Sequence, residues 1–487
     1  MGLASQLGDR FKTAFLSEIV GLVAGTILTV LLARVLDPDS YGLLFLAISI
    51  FTVAKLFSSF GIPKSASRYL SEYKEKDPSQ IPHILRESLL MNLLVITVVV
   101  LILMSFNSRI AGIIGNNDLS EFLFFGSGFI LFATLFTYVR LSLQGLEHIQ
   151  TASFLDAMNK SGRALFAIGL AVLGYGALGA LIGYIISYTI VSFIGILYLY
   201  FHFYSGISSS NIEDGLRHKI AKYSLPLAIT QSAHSLDHQV DRILIGIFVG
   251  PAGVAFYTLG KQIVQFIETP MAALGFTLSP AYSSQRAKGN TETAARIYET
   301  AISQGLLLYI PAATGVILLA EPGITVLFGD EYQGAAPVIQ ILAIFVVLKS
   351  ITTLTSDGLD FLGRARERAI IKGVTAVLNV LLNIVLIPIM GVVGAAIATV
   401  ITYSIYTFGN VFIIHKELNI NTSMMIKYSV SAVIISLMMA LSILTFFDLT
   451  AEIPVLVSAV LFGATIWTVI VIPTGLIKLE QIKEAVI

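Results

Sequence analysis

Apolar segments of roughly 18 to 28 residues recur from one end of this chain to the other, each long enough to cross a bilayer. In hydrocarbon a backbone must satisfy its own hydrogen bonds, which leaves helices and closed barrels as the spanning structures. A barrel would show short strands alternating apolar and polar residues, whereas these segments are continuously apolar. They predict about fourteen transmembrane helices, near 13–36, 41–62, 86–106, 119–143, 153–174, 177–203, 223–249, 252–281, 297–320, 335–358, 369–390, 392–414, 425–447 and 453–477. With 56% hydrophobic and only 12% charged residues in 487, the chain lies outside soluble composition. The expected class is an all-α polytopic membrane protein. Thirty basic residues balance thirty acidic ones, so no nucleic-acid partner is implied. The absence of Cys excludes disulfides, Cys-ligated zinc and thiol catalysis. The N-terminal MGLASQLGDRFK leads straight into a span without a convincing cleavage site, and we expect it to be retained.

Charge in the connecting loops sets an orientation. Basic residues gather before the first span and after the even-numbered ones, which places 22 of the 30 on one side. That bias predicts cytoplasmic even-numbered loops and cytoplasmic termini, in a multi-pass protein of the cell membrane. The cluster Lys64, Arg68, Lys74 and Lys76 reads as a solvated cytoplasmic loop. Neither face has room for a soluble domain.

An internal repeat organises the spans. LLARVLDPDSYGLLFLA (31–47) matches IGIFVGPAGVAFYTLG (245–260), pairing Pro38 with Pro251 and Leu44 with Tyr257 at an offset of 213 residues. GALGALIGYIISY (176–188) matches GVVGAAIATVITY (391–403), pairing Gly176 with Gly391, Gly179 with Gly394 and Tyr188 with Tyr403 at an offset of 215. An offset spanning six helices makes the copies parallel, an arrangement that suits a transporter of two rocking bundles. The expected lobes are 1–205 and 223–416, joined by a cytoplasmic linker at 206–222, with two extra helices in 417–487.

The stretch Tyr223–Gly250 opens the second copy and carries His234, Asp237, His238, Asp241 and Arg242 at membrane depth. The first four follow the i, i+3, i+4, i+7 spacing of one helical face. Ionisable groups there default to a functional reading, with an interhelical polar network as the structural alternative. Asp237 and Asp241 are candidates for proton or sodium coupling; Asp237, His238, Asp241 and Arg242 together form a candidate coupling or hinge network. An i, i+4 histidine pair suits zinc, but no zinc-enzyme motif accompanies it, so no metal is expected. Lys55 lies in the second span and Lys349 in the tenth; Lys261, Gln265 and Glu268 share one face of the eighth. These five are the candidate substrate-translocation residues, against the alternative of snorkelling or simple ion pairing. Asn379 and Asn383 are expected to hydrogen-bond across helices, Gly21-x-x-x-Gly25 and Gly179-x-x-x-Gly183 to mark close packing, and prolines 226, 270, 280 and 311 to permit kinks. No GxxxxGK[ST] loop is present, and no cofactor is expected.

At LLARVLDPDSYGLLFLA and DRILIGIFVGPAGVAFY the chain resembles the multidrug/oligosaccharidyl-lipid/polysaccharide flippase superfamily, and within it the oligosaccharide-flippase branch. Ala33-Arg34-Val35-Leu36 with Tyr41-Gly42, and Asp241-Arg242-Ile243-Leu244 with Gly250, Pro251 and Tyr257, carry the likeness, with the Gly pairs 176/179 and 391/394. The resemblance implies a non-enzymatic carrier that moves a polyprenyl-(di)phosphate-linked oligosaccharide to the outer leaflet by alternating access; ion coupling, proposed for several relatives, is left open. The head group would sit in a central cavity and the tail in lipid. Implied partners are the lipid-linked glycan, membrane lipids and glycan-assembly enzymes, with a monomer as the expected state. Peptidoglycan-precursor flippases of the superfamily carry an arginine-rich cavity, where the first helix here offers Glu18. Two alternatives compete: a cation-coupled exporter of the same superfamily, which usually has about twelve helices, and a membrane-embedded glycosyltransferase or ligase, which usually needs a large extracytoplasmic loop.

Overall fold

The computed structural model describes residues 3–205, 211–474 and 476, and among them every regular element is a helix. The helices are α1 (Leu3–Val35), α2 (Pro38–Ser59), α3 (Ile62–Lys76), α4 (Ile81–Ile114), α5 (Leu119–Gly145), α6 (Ile149–Leu170), α7 (Gly176–Leu199), α8 (Leu216–Phe248), α9 (Pro251–Ala287), α10 (Thr291–Leu327), α11 (Ala336–Phe361), α12 (Ala365–Met390), α13 (Val392–Leu418), α14 (Thr422–Phe446) and α15 (Ile453–Val471). Each apolar segment of the sequence falls on one of them. Eleven stretches of the described residues are long and apolar enough to cross a membrane, and one of these, Ile149–Tyr204, holds both α6 and α7. The protein is an all-α polytopic membrane protein.

One element differs from expectation. The Lys64–Lys76 stretch is the amphipathic helix α3 rather than a loop. Ile62, Ala66, Leu70 and Tyr73 are buried, while Lys64, Arg68, Glu72 and Lys76 face outward. That spacing keeps one apolar stripe on a helix, and the density of charge conceals it. Phe60 (φ 44°) and Gly61 (φ 71°) turn the chain sharply out of α2, and Pro63 starts the next helix.

The chain packs into two compact units, Met1–Ala255 and Phe256–Ile487. In the first, α6 lies against α1 and α7, α5 runs among α2, α3, α4 and α7, and α8 lies along α2 and α3. Its core joins Leu70, Tyr73, Ile84, Val139, Leu143, Leu155, Val191 and Ile220. Here the two copies of the proline motif meet. A Cβ on Gly42 would stand 1.7 Å from the Pro251 carbonyl oxygen, so only glycine permits this backbone approach. Asp37 caps α2 by accepting from the Ser40 N–H at 3.0 Å, and Asp39 accepts from the Ala252 N–H at 3.2 Å. Gly183 packs on the α6 backbone at Ala167, as its spacing predicts. Gly21 differs: its open face takes the aliphatic part of Lys160, and nothing lies within 4 Å of a Cβ at Gly25. In the second unit α10 packs on α11 and α14, α13 on α11 and α12, and α15 on α14 and α10.

Candidate functional site

In the first unit, three cations sit half-buried on three helices: Lys55 on α2, Arg140 on α5 and Arg163 on α6. The last comes from the least apolar span, where Asp156, Asn159, Lys160 and Arg163 follow i, i+3, i+4, i+7. Ser187 of α7 donates to the Asn159 backbone and side-chain oxygens at 2.9 and 3.1 Å, which fixes α6 against α7. The Arg163 guanidinium then lies 5.5 Å from the Tyr184 ring centre and 5.7 Å from that of Tyr188. Its Nε is buried without a hydrogen-bond partner among the described residues. Lys55 lies within the field of Arg140, Arg163 and Tyr188. None of the three cations forms an ion pair among the described residues. The nearby acid is already engaged: Lys160 binds Asp156 at 2.9 Å and Glu18 at 3.0 Å.

The second unit repeats the pattern. Lys261 of α9 stands 4.6 Å from the Phe345 ring centre and 5.4 Å from that of Tyr257. Lys349 of α11 is 5.6 Å from the centre of Tyr403 and 4.0 Å from a carboxylate oxygen of Glu268. Lys372 of α12 lies 5.5 Å from Tyr403 and 5.1 Å from Tyr406. Gln265 shares α9 with Lys261 and Glu268 but is exposed.

These two sets come from corresponding helices of the repeat, α2 and α9, α5 and α11, α6 and α12, although the cation offsets fall short of the 213 and 215 residues of the motifs. Arg140 and Lys349 are separated by 209 residues, and so are Arg163 and Lys372; Lys55 and Lys261 are separated by 206, Tyr188 and Tyr403 by 215. Each copy therefore presents one cation from each of three corresponding helices, with a tyrosine of the fourth among them. Sequence reasoning finds Lys55, Lys261 and Lys349 but misses Arg140, Arg163, Lys372 and the tyrosines. Loop counting assigns Arg140 and Lys372 to the membrane edge, whereas both lie inside helices and are half-buried. The signal that would have found them is a basic residue on each pair of corresponding helices.

The candidate coupling network lies on α8. Asp241 is buried at 3% exposure, and Arg242 donates to Gln239 at 3.4 Å and adds its charge to the field at Tyr184. The side chains of His234, Asp237 and His238 fall outside the described ones. Asn379 donates to Thr402 of α13 at 3.3 Å, the expected bond across helices, and Asn383 donates to Asn379 on the same helix at 3.0 Å. Among the described residues no group of three or more His, Asp and Glu could hold a metal ion.

Chemically, each cluster is a cationic, aromatic-walled patch at membrane depth. It suits an anion that brings several acceptor oxygens, since charge-assisted bonds would offset the desolvation of the cations.

Comparison with known proteins bears on what that anion is. The sequence profile described as polysaccharide biosynthesis protein matches residues 11–286, and the MatE profile matches residues 226–385. An uncharacterized membrane protein of Methanocaldococcus jannaschii is 26% identical over 77% of this chain and 90% of its own length. The probable low-salt glycan biosynthesis flippase Agl15 of Haloferax volcanii is 28% identical over 38% of this chain and 39% of its own. Among solved structures, the lipid II flippase MurJ in an inward closed conformation superposes with a TM-score of 0.75 at 18% identity, over 94% of this chain and 97% of that one. An inward-facing multidrug resistance MATE transporter superposes at 0.65 and 15% identity, over 82% and 95%.

Proposed function

The chain belongs to the family of polysaccharide biosynthesis proteins, within the superfamily of multidrug, oligosaccharidyl-lipid and polysaccharide flippases, and from that membership we propose that it flips a polyprenyl-(di)phosphate-linked oligosaccharide from the cytoplasmic to the outer leaflet. The observation that carries this reading is the repeated cation set, Lys55, Arg140 and Arg163 in one copy and Lys261, Lys349 and Lys372 in the other. Lys55, Arg140 and Arg163 form no ion pair among the described residues; such cations in a bilayer cost several kcal/mol each by order of magnitude, and a phosphate would supply counter-charge. In this proposal the six cations bind phosphate. Gln265 and the tyrosine hydroxyls meet sugar, the tyrosine rings giving the glycan a flat apolar wall. Glu268 holds Lys349 while no cargo is bound. Asp241 and Arg242, with Asp237 and His238, form the coupling or hinge network of an alternating-access cycle.

The loop-charge bias supports a cytoplasmic-membrane location with both termini in the cytoplasm. A second reading, a cation-coupled small-molecule exporter, is favoured by the MatE match alone. Cationic clusters attract anions, so they favour the glycan lipid.

Lipid extraction and mass spectrometry on cells with and without the gene separate the two. A polyprenyl-linked oligosaccharide accumulating in the cytoplasmic leaflet of deleted cells is the expected result. An unchanged lipid-linked pool in cells without a second flippase would transfer the assignment to small-molecule export.

A further inference from the structure

Two neighbouring helices of the second unit carry a proline in mid-span, and each receives a polar group from the next helix at the break. In α10, Pro311 has no N–H to offer the carbonyl of Leu307, four residues earlier. Trp467 of α15 donates its indole N–H to that carbonyl at 2.8 Å. Gln304, one turn away, donates to the Leu476 carbonyl at 2.8 Å. Leu307 also packs with Tyr428, Ala432, Ile435 and Val471, so α14 and α15 hold this part of α10 on one side.

On its other side α10 holds α9. Pro270 removes one backbone donor from α9, and a side chain bridges the adjoining turn. The Met271 N–H donates to the Tyr309 hydroxyl at 3.1 Å, and that hydroxyl donates to the Ile267 carbonyl at 3.1 Å. Met271 N–H and Ile267 C=O are the pair that would close the turn in an uninterrupted helix. Tyr309 is 2% exposed, so water does not substitute for it freely. One turn before it, Gly305 leaves room for the Met271 side chain: a Cβ there would stand 2.2 Å from the Met271 terminal methyl. Glu268, paired with Lys349, sits inside the bridged turn.

We propose that Tyr309 is a positioning residue for translocation: its hydroxyl holds the α9 turn open at Ile267–Met271, and α9 moves between bridged and closed states of that turn as Glu268 changes partners. Closing returns the Met271 N–H to Ile267 and releases the hydroxyl. Opening sets Glu268 against Lys349. The C-terminal pair α14–α15, which has no counterpart in the first copy, supplies the rigid backing that lets α10 act as the fixed side. The link to translocation rests on the flippase reading; the bridged turn does not.

The test uses the full chain in lipid vesicles. Because the sequence contains no cysteine, Phe266→Cys and Ser284→Cys can carry nitroxide labels without other changes. Along an uninterrupted helix these positions stand about 27 Å apart, at roughly 1.5 Å per residue. The parent chain should show a population displaced from that spacing, and Tyr309→Phe should reduce this population about tenfold or more, with a similar fall in the flipping rate in cells. Pro270→Ala, which restores the backbone donor at 270 and leaves Pro280 unchanged in every variant, should shift the distribution the same way. Should Tyr309→Phe fail to accumulate, the double variant Pro270→Ala/Tyr309→Phe needs no bridging hydroxyl; it should recover membrane abundance and still flip slowly. Superimposable distributions for parent and Tyr309→Phe would overturn the proposal. So would a distribution that collapses to the straight-helix distance while flipping continues at the parental rate. The distances need no cargo, so they decide the bridge even if lipid extraction points to a different substrate.

Discussion

Arg163 carries a full charge between two tyrosine rings, with its Nε buried and unpartnered and no carboxylate in contact among the described residues. Removing the charge should cost the fold little, since an unpaired buried cation is a burden on it. The same change should cost transport a great deal if that charge meets phosphate. Arg163→Gln is expected to lower flipping by about tenfold or more at unchanged protein abundance, the loss of one charge-assisted contact. Arg163→Lys should restore part of it, because the cation remains while the planar fork and its stacking are gone. A normal flipping rate in Arg163→Gln, read from the lipid-linked glycan in the outer leaflet, would remove this residue from the site. At this scale the sequence was only half readable. Lys55, Lys261 and Lys349 stand out as charges within apolar runs. Arg140 and Lys372 lie close enough to span ends to pass as loop residues, and depth depends on helix ends that a sequence places only to within a few residues.

At the scale of elements, apolar length identifies every long helix, because a bilayer demands it. The short α3 escapes that criterion and is fixed by contacts distant in sequence. Ser65 donates to the Ile220 carbonyl at 3.0 Å, Arg68 stacks 4.0 Å from the ring centre of Tyr223, and Tyr73 donates to Glu213. Gln80, just beyond α3, donates to the Asn211 carbonyl at 2.9 Å and accepts from the Glu213 N–H at 3.0 Å. These bonds tie the segment entering α8 to α3. The hydrogen bond from Lys219, then that from Tyr73, holds the Glu213 carboxyl below the ordinary glutamate value of 4.5. A depressed pKa means the tie contributes stability above pH 4.5 and loses it as pH falls through the lower, folded-state value. Glu213→Gln should therefore lower the thermal midpoint at pH 7 by about 1 to 2 °C, a modest effect for a surface pair. The gap between parent and variant should close on acidification; a gap that stays constant down to pH 3 would mean that Glu213 stabilises by something other than its charge.

For the whole molecule, the repeat was legible because Gly and Pro positions tolerate so few substitutes. Gly176 and Gly391 both hold positive φ, 56° and 60°, and Gly179 and Gly394 each leave no room for a Cβ against the preceding helix, at Leu170 and Leu386. What those motifs do not convey is which helices pack together. By sequence α8 opens the second copy, yet it lies with the first: Gly61 meets its backbone at Ser224 and Ala228, and Gly246 meets Leu46. A fragment 1–250 should consequently accumulate in membranes several-fold better than a fragment 1–210, which leaves the exposed flanks of α2 and α3 uncovered. Equal abundance of the two, by immunoblot of washed membranes, would show that α8 is dispensable to that unit. The same feature has a genealogical meaning. If a six-helix ancestor was duplicated, the leading helix of the second copy came to lie on the first, while α1 stayed against its own α6. Fusion of the two copies into one chain would then have let the first half borrow a helix from the second, and two self-sufficient halves never had to exist.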